Sequence, residues 1–176
     1  MSTISVQALP AGTWQVDKVH SSIAFGIDYM AGTFHGTFGD FDAAVADGVL
    51  TGSARVASVQ VPDENLVAHL QSPDFFDAQA HPELTFTSNA INRDGDRVTI
   101  DGEITIKGHT ETAEITGEIS DPIADPYGGE RFGLTLRTVV DRAKFGVSWN
   151  NPLPSGEPAL ASEVTIIAEL QLSKQA

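Results

Sequence analysis

The sequence predicts an all-β fold, a single antiparallel barrel of eight or so strands closed up-and-down, with one short helical crossover near residues 62–80. Three observations carry this. Apolar residues recur at every second position through most of the 176 residues. Turn dipeptides such as Asp47-Gly48, Asp94-Gly95 and Lys107-Gly108 separate the alternating stretches. One segment, residues 69–86 (HLQSPDFFDAQAHPELTF), breaks the alternation. A sandwich of two sheets is the rival architecture.

Taken in order, residues 12–17 form a short strand anchored by Trp14. Residues 22–29 alternate cleanly, with Ile23, Phe25, Ile27 and Tyr29 on one face. Residues 34–41 follow, with Phe34, Gly36 and Phe38 sharing a face. Residues 50–59 place Leu50, Gly52, Ala54 and Val56 on one side. A helix then begins near Pro62-Asp63-Glu64: proline suits the first helical position and acids suit the positive end of the helix dipole. Leu66, His69 and Leu70 fall on one face of it. In a strand, adjacent Phe75 and Phe76 would point to opposite faces, whereas a helical turn buries both under a lid.

Strands resume at 83–91 with Leu84 and Phe86 inward. Residues 97–106 are the most regular strand, with Val98, Ile100, Gly102, Ile104 and Ile106 against one side. Residues 111–119 pair back, turning Ala113, Ile115, Gly117 and Ile119 inward. Loops at 121–129 and 150–156 flank a long strand at 130–141, which carries Phe132, Leu134, Leu136 and Val140 on one face. Residues 164–172 close the chain. No repeat or linker divides it, so residues 12–176 form one domain behind a tail of residues 1–11.

Composition narrows the function classes. A hydrophobic content of 41% supports a packed core and excludes a disordered chain. The absence of cysteine excludes disulfides, thiolate catalysis and cysteine-based zinc sites. A formal charge of -14 repels phosphate backbones and anionic surfaces, which argues against nucleic-acid partners. No run of about eighteen apolar residues exists, so stable membrane insertion is not expected. The opening MSTISVQALPAG lacks the basic and apolar regions of a secretory signal, and a cytoplasmic location is expected.

Glycines 36, 52, 102 and 117 and alanines 54, 90, 113 and 168 fall at inward positions. An eight-stranded barrel either packs solid or holds one ligand. So many small inward residues favour an elongated cavity; the competing reading is that strand glycines mark bulges and barrel corners.

The five histidines, His20, His35, His69, His81 and His109, show no local metal-ligand pair, and no metal is expected. Asp17, His20 and Ser21 bring a hydrolytic triad to mind. However, there is no G-x-S-x-G elbow, and side chains at successive strand positions diverge.

Several fragments in fixed order resemble the YceI-like family of lipocalin-like, polyisoprenoid-binding proteins. Trp14, Asp17, His20, Ser21 and Phe25 fit its WxxDxxHSxxxF pattern. Further matches are Phe34-His35-Gly36-Thr37-Phe38, then His69-Leu70, Ser72, Phe75-Phe76-Asp77 and Pro82. Gly102 with 104–110 (ITIKGHT) fits GxLTIxGxT, and Arg142 with Phe145-Gly146 fits RxxFG. The chain departs from many relatives at Val67-Ala68, where they carry Arg-Asp, at Glu111, where they carry a basic residue, and in lacking an export signal. The resemblance implies a lipocalin-like barrel with a long apolar pocket for an isoprenoid, such as a quinone tail or a polyprenyl lipid.

The expected function is thus noncatalytic binding, carriage or storage of such a chain, with no other cofactor. The alternatives are an enzyme acting on a small apolar substrate through a histidine acid or base, and a solid-core interaction module. The expected ligand-binding residues are Phe25, Ile27, Phe34, Phe38, Phe75, Phe76, Phe86, Gly102, Ile104, Phe132 and Trp149. His20 and His69 are expected at the pocket mouth or in a structural role. The partner is the apolar lipid; a homodimer stays open beside a monomer.

Overall fold

Strict alternation sets the wall. In β8 (Arg97–Ile106), Val98, Ile100, Gly102, Ile104 and Ile106 are all buried while their neighbours reach solvent. The computed structural model describes residues 8–175, and within them the chain forms eleven further strands. Before β8 come β1 (Thr13–Val16), β2 (Ser22–Tyr29), β3 (Gly32–Phe38), β4 (Phe41–Ala46), β5 (Val49–Arg55), β6 (Val59–Gln60) and β7 (Glu83–Asp94). After it come β9 (His109–Ile119), β10 (Ile123–Ala124), β11 (Glu130–Asp141) and β12 (Leu160–Lys174).

The neighbour order β11-β9-β8-β7-β5-β4-β1-β12 returns on itself because β11 also pairs with β12, from Arg131↔Ser173 to Asp141↔Glu163. This closes an eight-stranded antiparallel barrel and excludes the sandwich. β12 is long enough to serve two neighbours along its other edge. Its first part pairs with β2 and its last residues pair with β1. The ribbon β2-β3-β6 therefore branches off the first part of β12 and continues the wall there.

Two hairpin tips follow from backbone sterics. Asp47 and Gly48 have φ of 52° and 78°, and Lys107 and Gly108 have 52° and 77°. Positive φ at both central residues matches the right-handed twist of the flanking strands.

The sequence reading placed one strand at 34–41 and missed β4. The chain bends at Gly39-Asp40 and begins a new strand in which Phe41, Ala43 and Val45 are buried. Three of its six residues are alanine, which carries little strand preference.

The helical crossover is shorter than the expected 62–80. Helix α1 spans Glu64–Gln71, and the Asp63 carboxylate caps it by accepting from the Asn65 N–H at 2.8 Å. After Ser72 the segment proceeds through tight turns. The Phe75, Phe76 and Asp77 amides donate to the carbonyls of Ser72, Leu70 and Ser72. These turns bury Phe75 and half-bury Phe76, the outcome that the broken alternation implied.

The core fills one end of the barrel. Trp14 meets Phe132 edge-on with centroids 4.8 Å apart. Val45, Val98, Leu134 and Leu172 complete this plug, none more than 2% exposed. Of the expected tail, residues 1–7 lie outside the described residues, while Leu9 is buried within the core cluster.

Candidate functional site

The other end of the barrel is hollow. A cavity of about 490 Å³ occupies the half nearer α1. Its floor lies where inward side chains are small: Ala43, Gly52, Ala54 and Ala168 all line it. Ala43 and Gly52 are cross-strand partners, so two of the smallest residues face the same space. A Cβ on Gly52 would meet nothing closer than the Asp42 carbonyl oxygen at 3.7 Å. The wall is aliphatic, including Ile104, Ile115, Leu136 and Leu170. Close packing would normally fill such a space, and only ligands or specific shape leave it open.

A chain of aromatic rings runs from wall to lid. Phe34 stands 6.4 Å from Phe25, Phe25 stands 5.6 Å from Phe38, and Phe38 stands 6.1 Å from Phe76, centroid to centroid. At the rim, His69 on the last turn of α1 is wedged between two rings. It meets Phe75 edge-on at 4.9 Å and Trp149 edge-on at 4.8 Å. Its Nε2 shares a hydrogen bond with Asp74 at 3.1 Å. The side chain is one-third exposed, so this aromatic triplet forms the boundary between cavity and solvent.

Charge is nearly absent from the lining. The exception with least access to water is Arg142, which is 7% exposed. It follows β11 in a short turn whose first amide, Ala143 N–H, is accepted by Asp141. The guanidinium donates to four carbonyls, those of Ala161, Val147, Trp149 and, at 3.4 Å, Leu160. Burial pushes its pKa down, partly offset by Asp141. It stays protonated nonetheless, because guanidinium is too basic to be neutralised in proteins.

A second polar cluster sits at the plugged end. The Asp17 carboxylate shares a 2.7 Å hydrogen bond with His20 Nδ1 and accepts from Arg131 Nη1 and the Val19 N–H. These bonds, that to His20 first, hold Asp17 well below the usual carboxylate range. Arg131 also donates to Asp125, whose carboxylate receives the Tyr127 and Gly129 amides. The Gly129 bond is the main reason that Asp125 is held low as well. Arg131, between two carboxylates, is pushed above its ordinary value, chiefly by Asp17. This clip ties the loop after β10 to the end of β1 through Arg131 of β11. Among the described residues no group of three or more His, Asp or Glu side chains is placed to hold a metal ion.

The comparisons with known proteins agree with this architecture. The YceI-like domain family matches residues 14–172. The chain belongs to the YceI-like family. It is 28% identical to a UPF0312 protein of Staphylococcus epidermidis over 166 residues, covering 89% of this chain and 95% of that protein. It is 28% identical to Protein YceI of Escherichia coli O157:H7, covering 78% and 77%. Two solved structures share the fold. Burkholderia cenocepacia BcnA has a TM-score of 0.70 at 24% identity, covering 89% of this chain and 98% of its own. A polyisoprenoid binding domain from Saccharophagus degradans, implicated in plant cell wall breakdown, has a TM-score of 0.72 at 10% identity, covering 92% and 98%.

In this YceI-like domain, nine of the eleven residues expected to bind ligand line the cavity: Phe25, Ile27, Phe34, Phe38, Phe75, Phe76, Phe86, Ile104 and Trp149. Gly102 and Phe132 do not, and both placements are corrected. Gly102 is covered by the Phe86 ring and the Thr87 carbonyl. It pairs with Ser88 at the bulge between Ser88 and Ala90, so it relieves crowding there and exposes Ala90. Phe132 belongs to the plug beside Trp14. Gly36 and Gly117 likewise give space to other groups, the Phe25 ring and the Thr135 carbonyl.

Of the two histidines expected at the mouth or in a structural role, His69 stands at the mouth and His20 takes a structural place away from it. His20 is 58% exposed at the plugged end, bound to Asp17. Ser21, its neighbour, accepts the Gln171 amide and joins the scaffold. The sequence reading missed Arg142 as a lining residue. It was visible there only as part of the RxxFG fragment.

Proposed function

We propose that this YceI-like chain is a noncatalytic carrier or reservoir for one long apolar chain, an isoprenoid such as a quinone or a polyprenyl lipid. The observation that carries the reading is the cavity: about 490 Å³, walled by aliphatic and aromatic side chains, with its floor left open by Ala43 and Gly52. That volume lies within the range of roughly 300–1,000 Å³ typical of small-ligand pockets. The polyisoprenoid-binding description of the Saccharophagus degradans neighbour supports the same ligand class. Burial of the tail dominates affinity. At roughly 0.3 kcal/mol per heavy atom, ten buried carbons contribute about 3 kcal/mol. One neutral polar contact adds a net of only about 1 kcal/mol.

Acid–base catalysis finds little support. His20 lies at the opposite end from the cavity, and His69 faces an exposed carboxylate across an aromatic rim. A cytoplasmic setting completes the proposal, and cell fractionation tests it. The binding reading itself is tested by organic extraction of protein purified from its own cells. Mass spectrometry should find an isoprenoid at up to one per chain. An extract free of any long-chain lipid, from protein that also fails to take up added isoprenoid, contradicts it.

A further inference from the structure

Two jaws from different parts of the chain close the mouth, and one side chain holds both. The segment 72–81, between α1 and β7, carries Phe75, and the segment after β11 carries Trp149. The two rings meet with centroids 5.4 Å apart, and His69 lies edge-on to each. Lys107, at the tip of the β8–β9 hairpin, donates from Nζ to the Pro73 carbonyl at 2.5 Å and to the Gly146 carbonyl at 3.2 Å. Pro73 lies two residues before Phe75, and Gly146 lies three before Trp149. The ammonium therefore ties one jaw to the other beside the seam where their rings meet.

The other hydrogen bonds of residues 72–81 stay within the segment or reach only α1. The Phe75 and Asp77 amides donate to Ser72, Phe76 to Leu70, Ala78 to Gln71 and His81 to Asp77, while Asp74 bonds His69. Beyond the segment, the Val56 N–H pins Pro82. Among the described residues, Lys107 supplies the one hydrogen bond from the barrel strands to this stretch. Apolar contact by Phe75 and Phe76 along the cavity provides the rest of its hold. The hairpin tip is seated for this task. The His81 ring lies against Gly108 and the His109 ring against Gly146, each where a Cβ would not fit. His109 Nδ1 is also 3.0 Å from the Lys107 carbonyl oxygen. A half-exposed ammonium exchanges a carbonyl for water at small net cost, and a unit tied by so few bonds opens more readily than the strands around it.

We infer that residues 72–81 are a hinged lid over the cavity and that Lys107 is its latch, so that release of one ammonium sets the rate at which ligand enters and leaves. This rests on the carrier reading above for what passes the lid. It adds that exchange is gated at the Phe75–Trp149 seam. Lys107 is not among the lining residues, so the latch acts on rates and leaves the contacts of a bound chain in place.

The test follows anthraniloyl-labelled geranylgeraniol by stopped-flow fluorescence with the full chain. Lys107→Met keeps the aliphatic stem and loses the donor. It should raise association and dissociation rates together, by about three- to tenfold, with Kd nearly unchanged. Lys144→Met, which removes an exposed cation from the turn before Gly146, should leave both rates as in wild type. A second arm needs no ligand. Trp149 and the fully buried Trp14 are the two tryptophans of the chain, so acrylamide quenching reports on the seam, and Lys107→Met should increase it. A third arm locks the lid. The chain has no cysteine, so Asp74→Cys with Lys107→Cys provides the only thiols, and joining them with a bis-maleimide should slow exchange at least about tenfold relative to the unlinked protein. Unchanged rates or unchanged quenching in Lys107→Met, a weaker Kd at an unaltered association rate, or undiminished exchange in the linked protein would overturn the latch and leave tail binding standing. A probe that binds neither wild type nor variant overturns the carrier reading, and the quenching then decides the latch alone.

Discussion

The ring of Phe86 lies across Gly102. A Cβ built on Gly102 would come within 2.6 Å of that ring and 2.5 Å of the Thr87 carbonyl oxygen. Gly52 is the opposite case, with open cavity where its side chain would be. Two glycines with the same inward alternation thus have contrary roles.

Gly102→Leu should destabilise the barrel by about 3 kcal/mol, the upper end of overpacking costs, because the obstacle includes backbone that cannot swing aside. Gly52→Leu should change stability by less than about 1 kcal/mol while weakening long-chain binding at least about tenfold, since Leu fills space otherwise taken by ligand. Thermal unfolding and lipid displacement on both variants check the pair. Equal destabilisation by both would mean that the Gly52 side of the barrel is packed.

The rim supplies a second prediction. His69 touches Phe75 and Trp149, each edge-on. His69→Ala removes both aromatic contacts, worth about 0.5–1.5 kcal/mol each. Stability should fall by about 1–3 kcal/mol, and release of bound lipid in stopped-flow should quicken several-fold. An unchanged release rate would move the exit away from this triplet.

The plugged end predicts a pH dependence. Asp17 is held low by His20 and Arg131 in the folded state and relaxes to the ordinary value, about 3.9, when unfolded. A depressed folded pKa gives stability that is present above the unfolded value and lost as pH falls below it. Wild type should therefore lose stability progressively as pH falls below about 5, and go on losing it below about pH 3. Asp17→Asn should be less stable at neutral pH by about 1–3 kcal/mol and flatter across that window. Urea midpoints measured against pH decide this; parallel curves for the two proteins would remove Asp17 from the acid response.

How much of this was legible depended on the length scale of each cause. Strand alternation is local, so the barrel, its turns and most cavity aromatics could be read directly. The bulge at Ser88 was not legible, because it depends on how β7 meets β8, and it reversed the reading of Gly102 and Ala90. Phe132 and Phe86 both alternate inward, yet one meets the plug and the other the cavity. Only the height along the barrel separates them, and alternation carries no height. The same lack left open whether His20 stood at the mouth or in a structural role, and its bond to Asp17 gives it the latter. The small residues at 43 and 52 face each other through pairing across the β4–β5 hairpin, and the sequence reading had not recognised β4.

The central claim is that the cavity holds a long apolar tail and that the tail sets affinity. The most direct measurement is affinity against chain length, for prenols from two to six isoprene units. At roughly 0.3 kcal/mol per heavy atom, each five-carbon unit should add about 1.5 kcal/mol, or about tenfold, until the cavity is full. Gly52→Leu should bring that plateau earlier. Affinity that does not change with chain length, in wild type and Gly52→Leu alike, would contradict the account.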